Sequence, residues 1–424
     1  MKTKNRQLAR KVSVIGAGMS KFGMFPDMDS KDLFVEAFEN MRKTVDKSFD
    51  PAEIDAVYVG NFSNDYFVNQ SHWAPMLTDA IGLCPRPATR TEGACASGAL
   101  AFREGVMAIA SGMCDMVLVG GVEQMSKRTT EEVAEGLALA SVPYEGKAGF
   151  TFPAVFGAVA TAYFEKYGYN RKDLFHVTLK SHDNSTANPK AQINKAIREI
   201  MEERKEKALK KGTQLPDWKD EMEFLSDTRS NPPIAWPMHL FDCCPISDGA
   251  ACVLLVAEEF AEKYSNKPLR VAGIGQGSGK GLHGCEDLTS FSATVHAAEQ
   301  AYAMAEITAA DIDFAEVHDC FSIAEVIHSE DLGFFKRGEG LKAASDGRTR
   351  LNGDMPLNVS GGLKCKGHPV GATGCSQIVE LWEQLRGEAG NRQIKKNNLR
   401  FGLAHNIGGT GGTCAITILE RKNA

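Results

Sequence analysis

Apolar runs and amphipathic stretches alternate along this chain, and the pattern occurs twice. A short β-rich run closed by glycines starts at Arg10 and ends at Gly18; a counterpart starts at Leu269 and ends at Gly277. A second pair starts at Ile54 (Ile-Asp-Ala-Val-Tyr-Val-Gly) and Ile312 (Ile-Asp-Phe-Ala-Glu-Val-His). Starts at 10 and 269, then at 54 and 312, give offsets of 259 and 258 residues, a spacing hard to obtain by chance. Each pair brackets a helical stretch, 32–45 and 291–305. Each is followed by a glycine-rich loop opening a helix, 92–110 and 361–385. Further strands close each half: 116–121 and 250–256, then 399–404 and 413–419. Alternating strands and helices predict buried β-α units with right-handed crossovers between parallel neighbours. Two copies predict a pseudo-twofold pair packed face to face. Residues 123–242 have no counterpart and read as an inserted loop domain over the active-site face. Within it, 193–212 is dense in Lys, Arg and Glu. Mixed signs at helical spacing predict a solvated helix, partner docking being the alternative.

Composition narrows the class. The 424 residues suffice for two or three domains, so 1–122 with 243–265, 123–242 and 266–424 are the expected units. A net charge of -6 gives no reason to expect nucleic acid as a partner. Eleven cysteines without regular spacing, Cys252 and Cys414 among them inside apolar runs, read as reduced thiols of a cytoplasmic protein. The absence of C-x-x-C pairs argues against a metal. Basic residues Lys2, Lys4, Arg6, Arg10 and Lys11 precede an apolar run, 12–15, too short for a signal sequence. No run approaches membrane-spanning length, and 421–424 carries no receptor-read address.

Four motifs carry chemistry. Gly93-Ala94-Cys95-Ala96-Ser97-Gly98 places one cysteine at the mouth of a helix, among residues small enough for a substrate to approach. The unpaired N–H groups and dipole there favour a thiolate. The run Gly361 to Gly374 sets His368 among glycines before a second helix. Glu316-Val317-His318-Asp319-Cys320-Phe321 ends an apolar strand with a histidine, a carboxylate and another cysteine, where strand ends face a ligand crevice. His405-Asn406-Ile407-Gly408-Gly409-Thr410-Gly411-Gly412 is a loop whose N–H groups suit an oxyanion.

In this order and spacing the four motifs resemble the thiolase superfamily over essentially the whole chain. The resemblance implies an α/β thiolase fold: two βαβαβαββ halves in an α-β-α-β-α core, with a loop domain. It also implies a homodimer or dimer of dimers, and a 3-oxoacyl-CoA substrate with coenzyme A as co-substrate and no resident cofactor. Most family members carry Asn-Glu-Ala-Phe where this chain has His318-Asp319-Cys320-Phe321, and a cysteine where it has Asn406. Both departures resemble the sterol-carrier-protein-type and archaeal branch, which includes benzoylsuccinyl-CoA thiolase. Members of that branch often pair with a small zinc-ribbon, OB-fold companion.

The implied roles follow the chemistry of C2–C3 cleavage. Cys95 is the nucleophile and His368 its base. The N–H groups of Cys95 and Gly408 receive the tetrahedral oxyanion, and His368 with His318 the enolate. Cys320 exchanges the proton, taking the place that Asn406 cannot fill. Ser247 is expected to touch the CoA pantetheine, Asp319 to orient its surroundings, and Cys365 and Cys375 to pack. Cys243 and Cys244 join the loop domain to the core. Two rivals remain open: a ketoacyl-synthase-type condensing enzyme, against which Cys320 argues, and a non-catalytic scaffold for a partner. Phe150, Phe152, Phe156, Tyr163 and Trp236 would suit an aromatic acyl group; acetoacetyl-CoA is equally admissible. The charged insertion, about 193–227, is expected to reshape the acyl tunnel or bind the companion.

Overall fold

The computed structural model describes residues 6–214 and 216–422, leaving Lys2, Lys4, Asn423 and Ala424 outside. Strands β1 (Val12–Met19), β2 (Ala56–Gly60), β3 (Ala88–Thr91), β4 (Met116–Gln124), β5 (Pro233–Ala235), β6 (Met238–His239), β7 (Asp248–Ala257), β8 (Leu269–Ser278), β9 (Phe314–Glu316), β10 (Phe401–Gly408) and β11 (Thr413–Arg421) follow one another along the chain. Among the described residues nine of them hydrogen-bond in the order β3-β2-β4-β7-β1-β8-β11-β10-β9, and β5 and β6 form a separate hairpin. The first five in that order belong to one half, the last four to the other. They meet at β1 and β8 through two residue pairs, Ser13 with Arg270 and Val14 with Leu269.

The internal repeat is visible in three dimensions. β1, β2, β4 and β7 take the places in the first half that β8, β9, β10 and β11 take in the second. The counterpart of β3 has shrunk to one parallel bridge, Ala315 to Leu357. β1, β4 and β7 are buried along their whole length, as near-continuous apolar strands covered on both faces should be.

Five layers result. Helix Ser30–Arg42 covers the first half with Phe34, Phe38 and Met41, packed on Ile15, Leu118 and Leu254. Helix Ser292–Ala305 covers the second with Ala297 and Ala301, close to Ile416 and Ile418. Between the sheets lie helices Ser97–Ala110 and Thr373–Arg386, whose Phe102, Val106, Ile378 and Trp382 share one core with strands of both halves. These two middle helices meet N-terminus to N-terminus. A Cβ at Gly98 would stand 2.6 Å from Gly371 O, and one at Gly374 would stand 2.2 Å from Ala99 N, so only glycine permits that approach. The elements that begin with Cys95 and His368 are thereby brought together from opposite halves.

The segment between β4 and β7 is largely helical. Helix Phe152–Tyr167 buries Phe156 and Tyr163 on the second half, Phe156 stacking on Phe321 at 4.7 Å. The charged run forms helix Ile197–Lys210, solvated as expected, with only Ile197 and Met201 buried. They join Trp218 and Phe224 in a small cluster of their own. Among the described residues no helix is long and apolar enough to cross a membrane.

Candidate active site

Cys95 sits in a sharp turn, Ala94–Ala96, that leads directly into helix Ser97–Ala110. Ala94 has φ 51°, a left-handed conformation costing a residue with a Cβ about 1–2 kcal/mol. Local hydrogen bonds hold it: Ser97 Oγ accepts from Gly93 N at 3.0 Å and donates to Ala94 O at 2.6 Å. Strain of this kind persists where surrounding structure over-determines it, and here it presents the sulfur to a cavity.

That cavity measures about 140 Å³ and is lined by Cys95, Cys244, His318, Cys320, His368 and Gly409 with a mostly apolar remainder that includes Met125, Leu137, Phe152 and Phe321. Cys95 Sγ and one ring nitrogen each of His318 and His368 all lie within 4.8 Å of one another. The two imidazoles meet edge to face, centroids 5.0 Å apart. The four side chains expected to do chemistry are therefore assembled from three separate loops.

Their protonation is set by burial. Cys95 keeps a partly exposed surface, yet the apolar surroundings push its thiol up to about 12, the N–H groups of Gly409 and of Cys95 itself pulling the other way and Glu123 adding to the rise. The expected resting thiolate is thus replaced by a thiol, because desolvation outweighs the helix N-terminus. Burial holds the His368 imidazole down to about 3, with Lys366 contributing, and His318 well below its ordinary value, with His368 and His405 contributing. Both are neutral at physiological pH. Cys320 is raised well above a free cysteine by burial and by the neighbouring Cys244, Cys95 and Asp319, so it carries its proton.

Hydrogen bonds identify which nitrogen of His368 is bare. Thr373 Oγ1 donates to Pro369 O at 3.0 Å, so it accepts from His368 Nδ1 at 2.6 Å. The other nitrogen, Nε2, is buried without a partner. It is a lone pair aimed at the cavity. Glu123, fully buried, accepts from Phe62 N at 2.8 Å and Gly371 N at 3.1 Å, bracing the loop after His368. Asp319 Oδ1 accepts from Leu363 N at 2.6 Å, tying the strand end that carries His318 and Cys320 to the loop that carries His368.

Some expected positions are revised. Ser247 has no exposed surface; its hydroxyl accepts from His368 N at 2.9 Å and donates to Gln192 Oε1 at 2.6 Å. It steadies the His368 loop and is not among the residues that line this cavity. Gly408 ends β10, and a Cβ there would stand 2.0 Å from Gly93 O, which makes it the residue that lets the strand end close over the Cys95 turn. The next residue, Gly409 with φ 62°, lines the cavity and turns its N–H to the Cys95 sulfur. Trp236 is 73% exposed on the β5–β6 hairpin and Phe150 lies at the surface, whereas Phe152 lines the cavity. None of residues 193–227 lines it. Cys365 and Cys375 are buried packing thiols. Thr373 and Glu123 were not singled out from the sequence as site residues; Thr373, one turn past His368 at the helix start, had a signal to offer, while Cys244 and Gly409 were named there only as a domain join and as part of the glycine loop.

Comparison with known proteins bears on the whole chain. Residues 12–259 match the model of the thiolase N-terminal domain, and residues 276–421 that of a thiolase C-terminal domain-like family. The acetyl-CoA acetyltransferase of Methanothermobacter thermautotrophicus is 41% identical over 416 residues, spanning 97% of this chain and 100% of that one. The benzoylsuccinyl-CoA thiolase subunit BbsB of Thauera aromatica is 29% identical over 408 residues, 95% of this chain and 96% of that one. The solved structure of an Ltp2-ChsH2(DUF35) aldolase superposes with a TM-score of 0.76 at 21% identity, covering 98% of this chain and 99% of that one, a likeness of fold. With both halves matched and a full-length relative at this identity, the chain belongs to the thiolase family and is an acyltransferase.

Proposed function

We propose that the chain cleaves short 3-oxoacyl-CoA thioesters with CoA, and runs the reverse Claisen condensation, through an acyl-Cys95 intermediate. The observation that carries this reading is the meeting of Cys95 Sγ with a nitrogen of His318 and of His368 within 4.8 Å, in a cavity that Cys320 also lines.

His368 Nε2 takes the Cys95 proton, and the sulfur attacks the 3-keto carbon. The oxyanion is received by N–H groups of Cys95 and of the Gly408–Gly409 turn. The C2–C3 bond breaks, its electron pair passing into an enolate whose oxygen faces His318 and the newly protonated His368. Cys320 delivers its proton to C2, releasing the shortened acyl-CoA. The Cys320 thiolate then deprotonates CoA, whose sulfur attacks acyl-Cys95. The expelled Cys95 thiolate recovers its proton from His368, and every group is restored.

Cavity size supports the substrate class. About 140 Å³ is close to the roughly 150 Å³ that holds a single benzene. The acyl group on Cys95 and the thioester end of its partner must share that space, which suits two acetyl groups rather than an aromatic ring beside a succinyl unit. The companion expected from the sequence stays with the proposal: one relative is named a subunit, and another was solved with a DUF35 protein.

The test is intact-protein mass spectrometry after incubation with short, branched and aromatic 3-oxoacyl-CoAs lacking free CoA. An acetyl mass on Cys95 from acetoacetyl-CoA, cleared by added CoA and absent from Cys95→Ala, is the expected result. Labelling only by aromatic substrates overturns the substrate class; no labelling overturns the acyl-Cys95 route.

A further inference from the structure

Asn406 occupies the position where most of the family carries a cysteine, and it is buried with 1% of its surface exposed. Its Nδ2 lies 2.9 Å from His318 Nδ1, while its Oδ1 has no partner. The orientation of the amide follows from the surroundings. Oδ1 lies on the Gly374 backbone, 2.7 Å from where a Cβ would be. Turning the amide over would strand both N–H donors there, and an orphaned carbonyl is the cheaper defect. Nδ2 therefore donates, and His318 Nδ1 accepts. A neutral imidazole whose Nδ1 accepts carries its proton on Nε2. His368 is held the opposite way, its Nδ1 donating to Thr373.

We infer that Asn406 is a positioning residue that locks His318 as a permanent hydrogen-bond donor, so that of two adjacent histidines only His368 exchanges protons. The lock needs His318 neutral. Its neighbours are the thiols of Cys95 and Cys320 and the imidazoles of His368 and His405, the last accepting from His318 N at 3.3 Å. Asp319, next in the chain, is turned instead to Leu363 N. A donor that never titrates presents Nε2–H to the enolate oxygen at every stage of the cycle. A cysteine at 406 could not impose this tautomer so firmly, since a thiol is a weak donor. The enolate assignment rests on the function proposed above, but the tautomer does not.

Two measurements test it. In the full-length protein with 15N-labelled histidine, NMR is expected to find the proton of His318 on Nε2 and that of His368 on Nδ1. A His318 protonated on Nδ1, or on both nitrogens, overturns the inference even if the enzyme turns out to be an active thiolase. The second uses Asn406→Asp, whose carboxylate accepts from Nδ1–H and reverses the tautomer. Cleavage of acetoacetyl-CoA is expected to fall about 100-fold in kcat, as for loss of one oxyanion donor, with KM within about twofold. Acetyl exchange between acetyl-CoA and a second thiol, which forms no enolate, is expected to stay within about threefold. Equal loss of both reactions overturns the inference. A wild type inactive on all 3-oxoacyl-CoAs yet carrying the stated tautomers would refute the function and leave the lock standing.

Discussion

Replacing Thr373 by valine removes one hydroxyl and nearly nothing else, and the structure gives the size of the effect. The hydroxyl receives His368 Nδ1–H at 2.6 Å in a fully buried setting. Pro369 O, to which it donates, still receives Ala372 N at 2.9 Å and Thr373 N at 3.0 Å, so the helix start survives. In the variant the Nδ1–H tautomer leaves a buried donor unpaired, at about 1–3 kcal/mol. The competing tautomer puts the proton on Nε2, where the Cys95 proton must go. At 1.4 kcal/mol per factor of ten, the preference for the tautomer with a usable base falls about 5- to 150-fold, and acylation slows to the extent that Nε2, itself without a partner, takes the proton. Because burial holds this imidazole far below its ordinary range, to about 3, the loss is one of tautomer rather than charge and should be constant from pH 6 to 9. Single-turnover acylation by acetoacetyl-CoA, quenched and read as acetyl-Cys95 by mass spectrometry, measures it directly. Thr373→Ser keeps both hydrogen bonds and should acylate within about twofold of wild type. A valine variant as fast as wild type, or a serine variant as slow as valine, refutes the assignment of His368 as the base.

Other consequences are measurable. Cys320→Ala should still accumulate acyl-Cys95, with steady turnover down about 1,000-fold for want of the acid and base; a rate within tenfold of wild type removes Cys320 from the mechanism. Alkylation of Cys95 by iodoacetamide should accelerate about tenfold per pH unit from pH 7 to 10, since its thiol is pushed up to about 12; a plateau near neutrality would show a thiolate instead. Gly409→Ala meets a φ of 62° and would bring Cβ within 2.7 Å of Ala140 O, shifting the N–H that faces the sulfur. Its kcat should drop about 100-fold, against little change for Gly412→Ala, where a Cβ meets nothing within 4 Å. Comparable activities of the two glycine variants count against an oxyanion role for the 408–409 turn.

The repeat was readable because each half must bury the same strands, so apolar runs recur at nearly fixed offset whatever happens on the surface. Cys95, His318, Cys320 and His368 stand out in the sequence because each lies in a run of unusual residues, and the fold brings all four to one cavity. What escaped is what depends on hydrogen-bond sense. Thr373 and Asn406 look alike in sequence, as ordinary polar residues near a helix start or in a glycine loop; only the partners of their oxygen and nitrogen atoms reveal opposite effects on two histidines. That Gly409 rather than Gly408 lines the cavity turns on where a strand ends, a detail of one residue. The Cys95 thiol was misread because a helix N-terminus is visible in sequence, while the desolvation that overrides it comes from residues far along the chain. Trp236 was assigned inward on bulk alone, which says nothing about direction in a hairpin.

The meeting of the two middle helices at Gly98 and Gly374 has a consequence for how such a protein comes into being. The repeated halves supply two equivalent helix openings, and in the mechanism proposed above these serve unlike parts of one reaction. The first contributes a sulfur; the second contributes His318, Cys320, His368 and the turn at Gly409. On that mechanism an emerging chain that has folded only its first copy would hold a thiol without its base. Competence on that mechanism would arise only when Cys95 and His368, 273 positions apart, come face to face, a long loop to close. Acyl transfer is thus a readout of completed assembly. The two copies made as separate polypeptides should each be inert and regain turnover only on recombination, with the glycine contact as the seam where the halves must seat.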